Sequence, residues 1–178
     1  MKKLLCIIAA LAMVVAIQAE ETSSEPGDLG VGYQGIFYGG GNARMDAASI
    51  RWHGNSPVGV QGLIGQLNTD TGVEQNTLIL AVKGLINLFE RENSTFYVGP
   101  KVGIAWIDVT NPNGTKAVDS QQLLFGAFVG TEYFFQGLPE IGFNFEVGYD
   151  FAVGDDDVSG DNANAYGINV TLGANYYF

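Results

Sequence analysis

The chain of 178 residues carries 19 acidic and 8 basic side chains, a formal net charge of −11, and a single cysteine. So acidic a chain is a poor partner for nucleic acid or for anionic lipid surfaces. The length allows one domain, and one cysteine excludes a disulfide framework and a thiolate metal site.

The first 19 residues have the pattern of a secretory signal peptide. Lys2 and Lys3 precede an apolar run, residues 4–17, that is too short to span a bilayer as a helix. We expect cleavage near Ala19, which removes Cys6 and leaves six basic and nineteen acidic residues, a net charge of −13.

The remainder divides into a short periplasmic leader, residues 20–27, and one folded domain, residues 28–178. No apolar run after the signal approaches the length of a spanning helix, so an exported chain of this kind can enter a membrane only as strands.

Apolar and polar residues alternate throughout the domain, which is the period of β-strands with two different faces. The alternating segments predict eight strands, at 28–38, 46–54, 57–67, 76–89, 95–107, 120–134, 141–153 and 166–178. In two of them, 57–67 and 120–134, apolar residues occur at both odd and even positions. The sequence therefore leaves open which side of these two strands faces outward.

The predicted connections alternate in length. Those after the first, third, fifth and seventh strands are long, and those after the second, fourth and sixth are short. This asymmetry is typical of outer-membrane barrels, whose long loops face outside and whose tight turns face the periplasm.

The two faces of the strands differ in a way that favours a membrane barrel over a soluble sheet. The alternation persists for about 11 to 13 residues, beyond the length of ordinary strands. Aromatic residues near the strand ends predict two interfacial girdles. Those at the short-turn end are Trp52, Phe96, Phe143, Tyr176 and Phe178, and those at the long-loop end are Phe37, Tyr38, Trp106, Phe151 and Tyr166.

These features, with the terminal "NYYF", resemble the small outer-membrane β-barrel proteins of Gram-negative bacteria, the group of the OmpA transmembrane domain and OmpX-type barrels. The resemblance implies an all-β fold: an eight-stranded antiparallel up-and-down transmembrane β-barrel, reached by Sec-dependent export to the bacterial outer membrane. It further implies that outer-membrane lipid and lipopolysaccharide surround the barrel. The barrel-assembly machinery would recognise Leu172, Tyr176 and Phe178.

Charged residues on the inner parity predict a polar core. We expect Lys83, Lys101 and Glu146 to lie at similar height. Arg51 is expected near Glu132, and Asp150 shares the parity of Glu146. Charges held inside so narrow a barrel must be paired, so a structural salt-bridge network is favoured over an ion pathway.

Other candidate sites are weak. His53, the only histidine, falls at the short-turn end, away from the outer rim where lipid-modifying barrel enzymes hold their catalytic groups. The acidic stretch from Asp155 to Gly160 resembles the first half of a calcium loop but has Tyr166 where a bidentate Glu belongs. We expect no catalytic residue, cofactor or metal site.

The expected function is therefore structural, or an interaction with a surface partner through the extracellular loops, without enzymatic activity. The alternatives are porin-like transport of small or apolar solutes, a lipid A-modifying enzyme, and a soluble ligand-binding barrel of the lipocalin kind.

Overall fold

The computed structural model describes residues 29–39, 43–53, 57–69, 74–110, 116–156 and 165–178. The predicted signal peptide and leader lie outside these residues, as does 157–164, which holds most of the possible calcium loop. Among the residues described, none belongs to a helix long and apolar enough to cross a membrane.

Eight strands form one closed, antiparallel barrel, which confirms the predicted fold class. Each strand pairs with the next along the chain, and the last pairs with the first. The strands are β1 (Leu29–Tyr38), β2 (Ala43–His53), β3 (Val58–Thr69), β4 (Glu74–Arg91), β5 (Ser94–Thr110), β6 (Lys116–Phe135), β7 (Leu138–Asp156) and β8 (Ala165–Tyr177).

The strands are strongly staggered. We step from Gly30 on β1 to its paired residue on β2, and so on around the barrel, and arrive at Gly167 on β8. Gly167 lies two positions closer to the long loops than Asn169, and Asn169 is the residue that pairs with Tyr38 on β1. The register therefore climbs about ten residues per circuit, so residues paired side by side lie at different heights.

The apolar parity of the strands faces outward. Large apolar side chains such as Val31, Phe145 and Leu172 are exposed on the outer wall. This accessible apolar wall is what a surface in contact with hydrocarbon requires.

The two strands whose facing the sequence left open obey the same rule. On β3, Val58 and Ile64 point outward and Leu63 is buried. On β6, Leu123, Phe125 and Val129 point outward, and Phe128 is buried.

The strands extend further at the long-loop end than predicted. Val109 pairs with Val118, and Ser120 pairs with Asp156, so the ladder continues into segments expected to be loops. The long connections consequently shrink to 39–42, 70–73, 111–115 and 157–164, against 54–57, 92–93 and 136–137 at the other end.

The barrel interior has two parts, of which the sequence predicted only one. An inner apolar layer occupies the half towards the long loops; its buried members are Ile36, Met45, Ala47, Leu63, Ile79, Ala81 and Ala105. Tyr38, assigned to a girdle from the sequence, instead packs against this layer. The assignment was wrong because Tyr38 shares the inward parity of Gln34 and Ile36.

Candidate functional site: the lumen polar network

The structure brings the six predicted charged residues to the inner face of the barrel. Arg51, Lys83, Lys101, Glu132, Glu146 and Asp150 are each at most 7% exposed. Each of the six alternates with the lipid-facing residues along its own strand. Because successive side chains of a strand point to opposite faces, all six point into the lumen.

Two carboxylates and two cations form the centre of the network. Arg51 Nη1 donates to Glu132 Oε2 at 2.8 Å, and Arg51 Nη2 lies 3.3 Å from Glu146 Oε1. Lys83 Nζ donates to Glu146 Oε2 at 2.5 Å. Arg51 therefore bridges the two glutamates, while Lys83 supplies the second cation that Glu146 needs.

Lys101 has a different partner from the one expected. The sequence placed Lys101 beside Glu146, but its Nζ donates to Asp150. The strand stagger explains the difference, because Lys101 and Asp150 are both paired with Gly126, from opposite sides. A Cβ at Gly126 would collide with the Asp150 carboxylate, so glycine there leaves room for the pair.

Two tyrosines complete the coordination of the glutamates, and neither belonged to the network predicted from the sequence. Tyr97 OH donates to Glu146 Oε1 at 2.9 Å, and Tyr177 OH donates to Glu132 Oε1 at 2.8 Å. Tyr177 is an aromatic residue on the otherwise polar, inward-facing side of β8. This exception in the sequence could have revealed an inward-facing hydroxyl group.

Side-chain amides supply further hydrogen bonds to this network. Gln34 and Asn144 exchange two hydrogen bonds, of 3.1 and 2.9 Å. Asn175 Nδ2 donates to Glu132 Oε1 at 2.9 Å, and Gln61 Oε1 accepts from Arg51 Nη2 at 3.0 Å. A buried charge supported by several such partners is much less costly than an isolated one.

His53 lies at the short-turn edge of this network. Its Nε2 is 3.6 Å from Glu132 Oε2, and its side chain is 21% exposed. In the described part of the chain, no group of three potential metal-binding side chains comes together.

The residues predicted for the girdles and for assembly occupy the outer wall. Phe96 and Phe143 are exposed near the short turns, and Trp106, Phe151 and Tyr166 near the long loops, while Trp52 is partly exposed. Leu172, Tyr176 and Phe178 are all exposed on the outer face of the last strand.

Solved structures with the same architecture are outer-membrane barrels. The crystal structure of Neisserial surface protein A matches with a TM-score of 0.63 and 10% identity, over 84% of this chain and 94% of that one. The N-terminal β-barrel domain of Pseudomonas aeruginosa OprF matches with a TM-score of 0.56 and 15% identity, over 86% and 100%. A major outer membrane protein from Thermus thermophilus matches with a TM-score of 0.52 and 18% identity, over 84% and 98%.

Sequence comparison relates the second half of the chain to a known family. The chain has no match among curated protein sequences. The profile of the OmpA-like transmembrane domain matches residues 91–176, which contain β5 to β7 and most of β8. Residues 91–176 are therefore similar to the OmpA-like transmembrane domain, and the described chain has the fold of small bacterial outer-membrane β-barrels.

Proposed function

We propose that this protein is a non-enzymatic outer-membrane barrel with a closed lumen. It supports the membrane or meets another surface through its long loops, which face outside the cell. The observation that carries the proposal is the filling of the barrel interior by its own side chains.

Two kinds of packing support a closed lumen. At the short-turn end, Arg51, Lys83, Glu132 and Glu146 meet across the interior in ion pairs of 2.5 to 3.3 Å. Towards the long loops, the inner apolar layer fills the interior together with the Lys101–Asp150 ion pair and buried Thr171. An eight-stranded barrel is just wide enough to be filled by side chains, so ions would have to displace both layers.

Transport is the second candidate, favoured only by the charges inside the barrel. Those charges are paired with one another, so an ion crossing the lumen would have to separate the pairs.

Catalysis on lipid A is the third candidate. It calls for a base at the outer rim, whereas His53 sits at the opposite end beside Glu132. A role at the loops therefore remains the best-supported function.

The test uses host cells that lack the protein. They are complemented with the full chain, or with a variant in which residues 157–164 are replaced by an Asn-Gly turn. Three readouts are compared: exclusion of a large antibiotic, attachment to protein-coated surfaces, and uptake of a small sugar. Folding of both chains is checked by the change in SDS mobility on heating.

We expect loss of the protein to weaken exclusion or attachment and to leave sugar uptake unchanged. Restoration of attachment by the full chain alone would assign the function to the last loop, and restoration of exclusion by both chains would assign it to membrane support. A defect confined to sugar uptake would overturn the proposal in favour of transport.

A further inference from the structure

Polar side chains interrupt the lipid-facing wall on one side of the barrel. Arg44 and Asp46 alternate with buried Met45 and Ala47, so their side chains point outward. Tyr33 on β1 and Gln66 on β3 are outward-facing neighbours. These four residues, Tyr33, Arg44, Asp46 and Gln66, are termed the outer-wall polar patch.

The patch lies inside the apolar band and not above it. The two girdles are ten residues apart on β5, where Phe96 and Trp106 mark them. On β2, Trp52 marks the short-turn edge, and Asp46 lies only six residues above it. Asp46 is therefore four residues inside the opposite edge of a band about 25 Å tall. Arg44 is two residues inside that edge.

The patch is organised as a fixed, neutral ion pair. Arg44 Nε and Nη2 donate to Asp46 Oδ1 at 2.9 and 2.6 Å, and Arg44 Nη2 also donates to Tyr33 OH at 2.8 Å. Tyr33 OH donates to Asp46. The guanidinium also lies over the Phe37 ring, 5.6 Å from its centroid.

This internal pairing leaves polar surface facing hydrocarbon. The Arg44 and Asp46 side chains are still 51% and 34% exposed. Polar groups exposed to the hydrocarbon region are costly, so this surface calls for a cover that supplies hydrogen-bonding groups.

Two small residues lie in the wall below the patch, between the exposed side chains of Tyr33 and Ile64. Ala48 and Gly62 face outward below it, and a Cβ on Gly62 would meet only Ile50 Cγ2, at 3.4 Å. The opposite wall differs. Phe151 lies as many residues above Phe143 as Arg44 lies above Trp52, so the two residues are at equivalent depths. The Phe151 ring stacks on the Phe125 ring, with the ring centroids 5.3 Å apart. Small residues let membrane-embedded elements pack closely.

We infer that the outer-wall polar patch and the small residues below it form the contact between two copies of this chain in the membrane plane. A two-fold axis along the membrane normal brings the same patch of both copies together. Arg44 of each copy then reaches Asp46 of the other, and the Gln66 amide, which both donates and accepts, meets its own equivalent.

Self-complementary charge favours a second copy over an anionic lipid headgroup. Asp46 already neutralises Arg44, so the patch has no net positive charge to attract a phosphate. It contains one cation and one anion instead, and two such patches offer each other the opposite charge at two points.

Single cysteines test the contact directly. Cys6 is the only cysteine and falls in the predicted signal peptide, so an introduced thiol is the only one in the processed chain. Ala48→Cys is placed on the proposed contact. Ala127→Cys, on the outer face of β6 and also exposed, is the matched control. Both full-length barrels are reconstituted in lipid vesicles at high lipid excess and treated with a short bismaleimide.

We expect the Ala48→Cys barrel to give a cross-linked dimer in a yield at least about fivefold above the Ala127→Cys barrel, as a preference of about 1 kcal/mol would produce. Equal yields from both walls would overturn the inference, and this comparison leaves the patch itself unaltered.

Charge reversal in the Ala48→Cys background tests the pairing. Arg44→Asp places four carboxylates at the contact and should reduce the dimer yield to that of the control wall. The exchange Arg44→Asp with Asp46→Arg restores self-complementarity and should restore the yield. If the barrel is monomeric and Arg44→Asp reduces only the amount of bound phospholipid, the patch binds a lipid headgroup. That result would contradict the inference.

Discussion

Arg51 Nη1 lies 2.8 Å from Glu132 Oε2, although the two residues are 81 positions apart in the chain and sit on β2 and β6. The ion pair crosses the lumen between strands that are not neighbours in the sheet. It can form only when the barrel is closed, so it couples strand pairing to closure and makes the polar network part of the fold.

Removing Glu146 should destabilise the barrel strongly. Glu146→Ala leaves Lys83 buried without its carboxylate and removes one of the two anions beside Arg51. Breaking a buried pair in this way costs about 3 to 5 kcal/mol. The free energy of unfolding is measured by urea titration of the barrel in lipid vesicles, followed by tryptophan fluorescence.

Glu140→Ala, an exposed change on the same strand, is the control and should alter the unfolding free energy by less than about 0.5 kcal/mol. Equal effects of the two variants would mean that Glu146 is not a member of a tightly paired network.

Tyr177 and Tyr176 form a matched pair on opposite faces of the last strand. Tyr177→Phe removes a hydroxyl that donates to Glu132 at 2.8 Å, and it should cost about 1.5 to 3 kcal/mol because the lost bond is to a charged group. Tyr176→Phe removes an outward hydroxyl and should be nearly neutral. The same urea titration decides, and a larger effect at Tyr176 would contradict the assigned facing of this strand.

Gly99 should tolerate no side chain. A Cβ there would collide with the Gly84 carbonyl oxygen and lie 3.3 Å from the Phe128 ring, so Gly99→Ala requires a backbone shift. We expect a loss of about 1 to 3 kcal/mol. At Gly167 nothing lies within 4 Å of such a Cβ, so Gly167→Ala should have little effect. Comparable stability of the two variants would show that β4 and β5 are further apart than described.

Deletion of Phe178 should separate assembly in cells from folding in vitro. Its side chain is exposed on the outer wall, and its N–H donates to Leu29 O at 3.0 Å. By the family resemblance it is also part of the assembly signal. We expect a large fall in the outer-membrane level and near-normal refolding into detergent, judged by heat-dependent SDS mobility. Tyr166→Ala, on the same face at the other end of β8, is the control; equal losses in both assays would leave stability as the only role of Phe178.

Much of the fold could be predicted because a membrane barrel imposes one simple rule on every strand. Alternation places residues such as Lys83 and Glu146 inside and Leu172 outside without any knowledge of the tertiary structure. The even strand count and the predicted signal peptide then constrain the topology.

The pairing inside the lumen could not be predicted in the same way. The partner of Lys101 depends on the stagger between strands, which no local pattern encodes, and the register selects Asp150 instead of Glu146. Tyr177 was missed because the predicted network was built from charged residues alone. The inner apolar layer was missed because the inner parity was expected to be polar, although Leu63 gave a local warning.

The most direct test of a closed lumen is the conductance of the refolded barrel in a planar lipid bilayer. We expect no stable conductance steps from the unmodified protein, because ion-paired side chains and the inner apolar layer fill the interior. A large, steady conductance from fully folded barrels would contradict this expectation and would make transport the function to pursue.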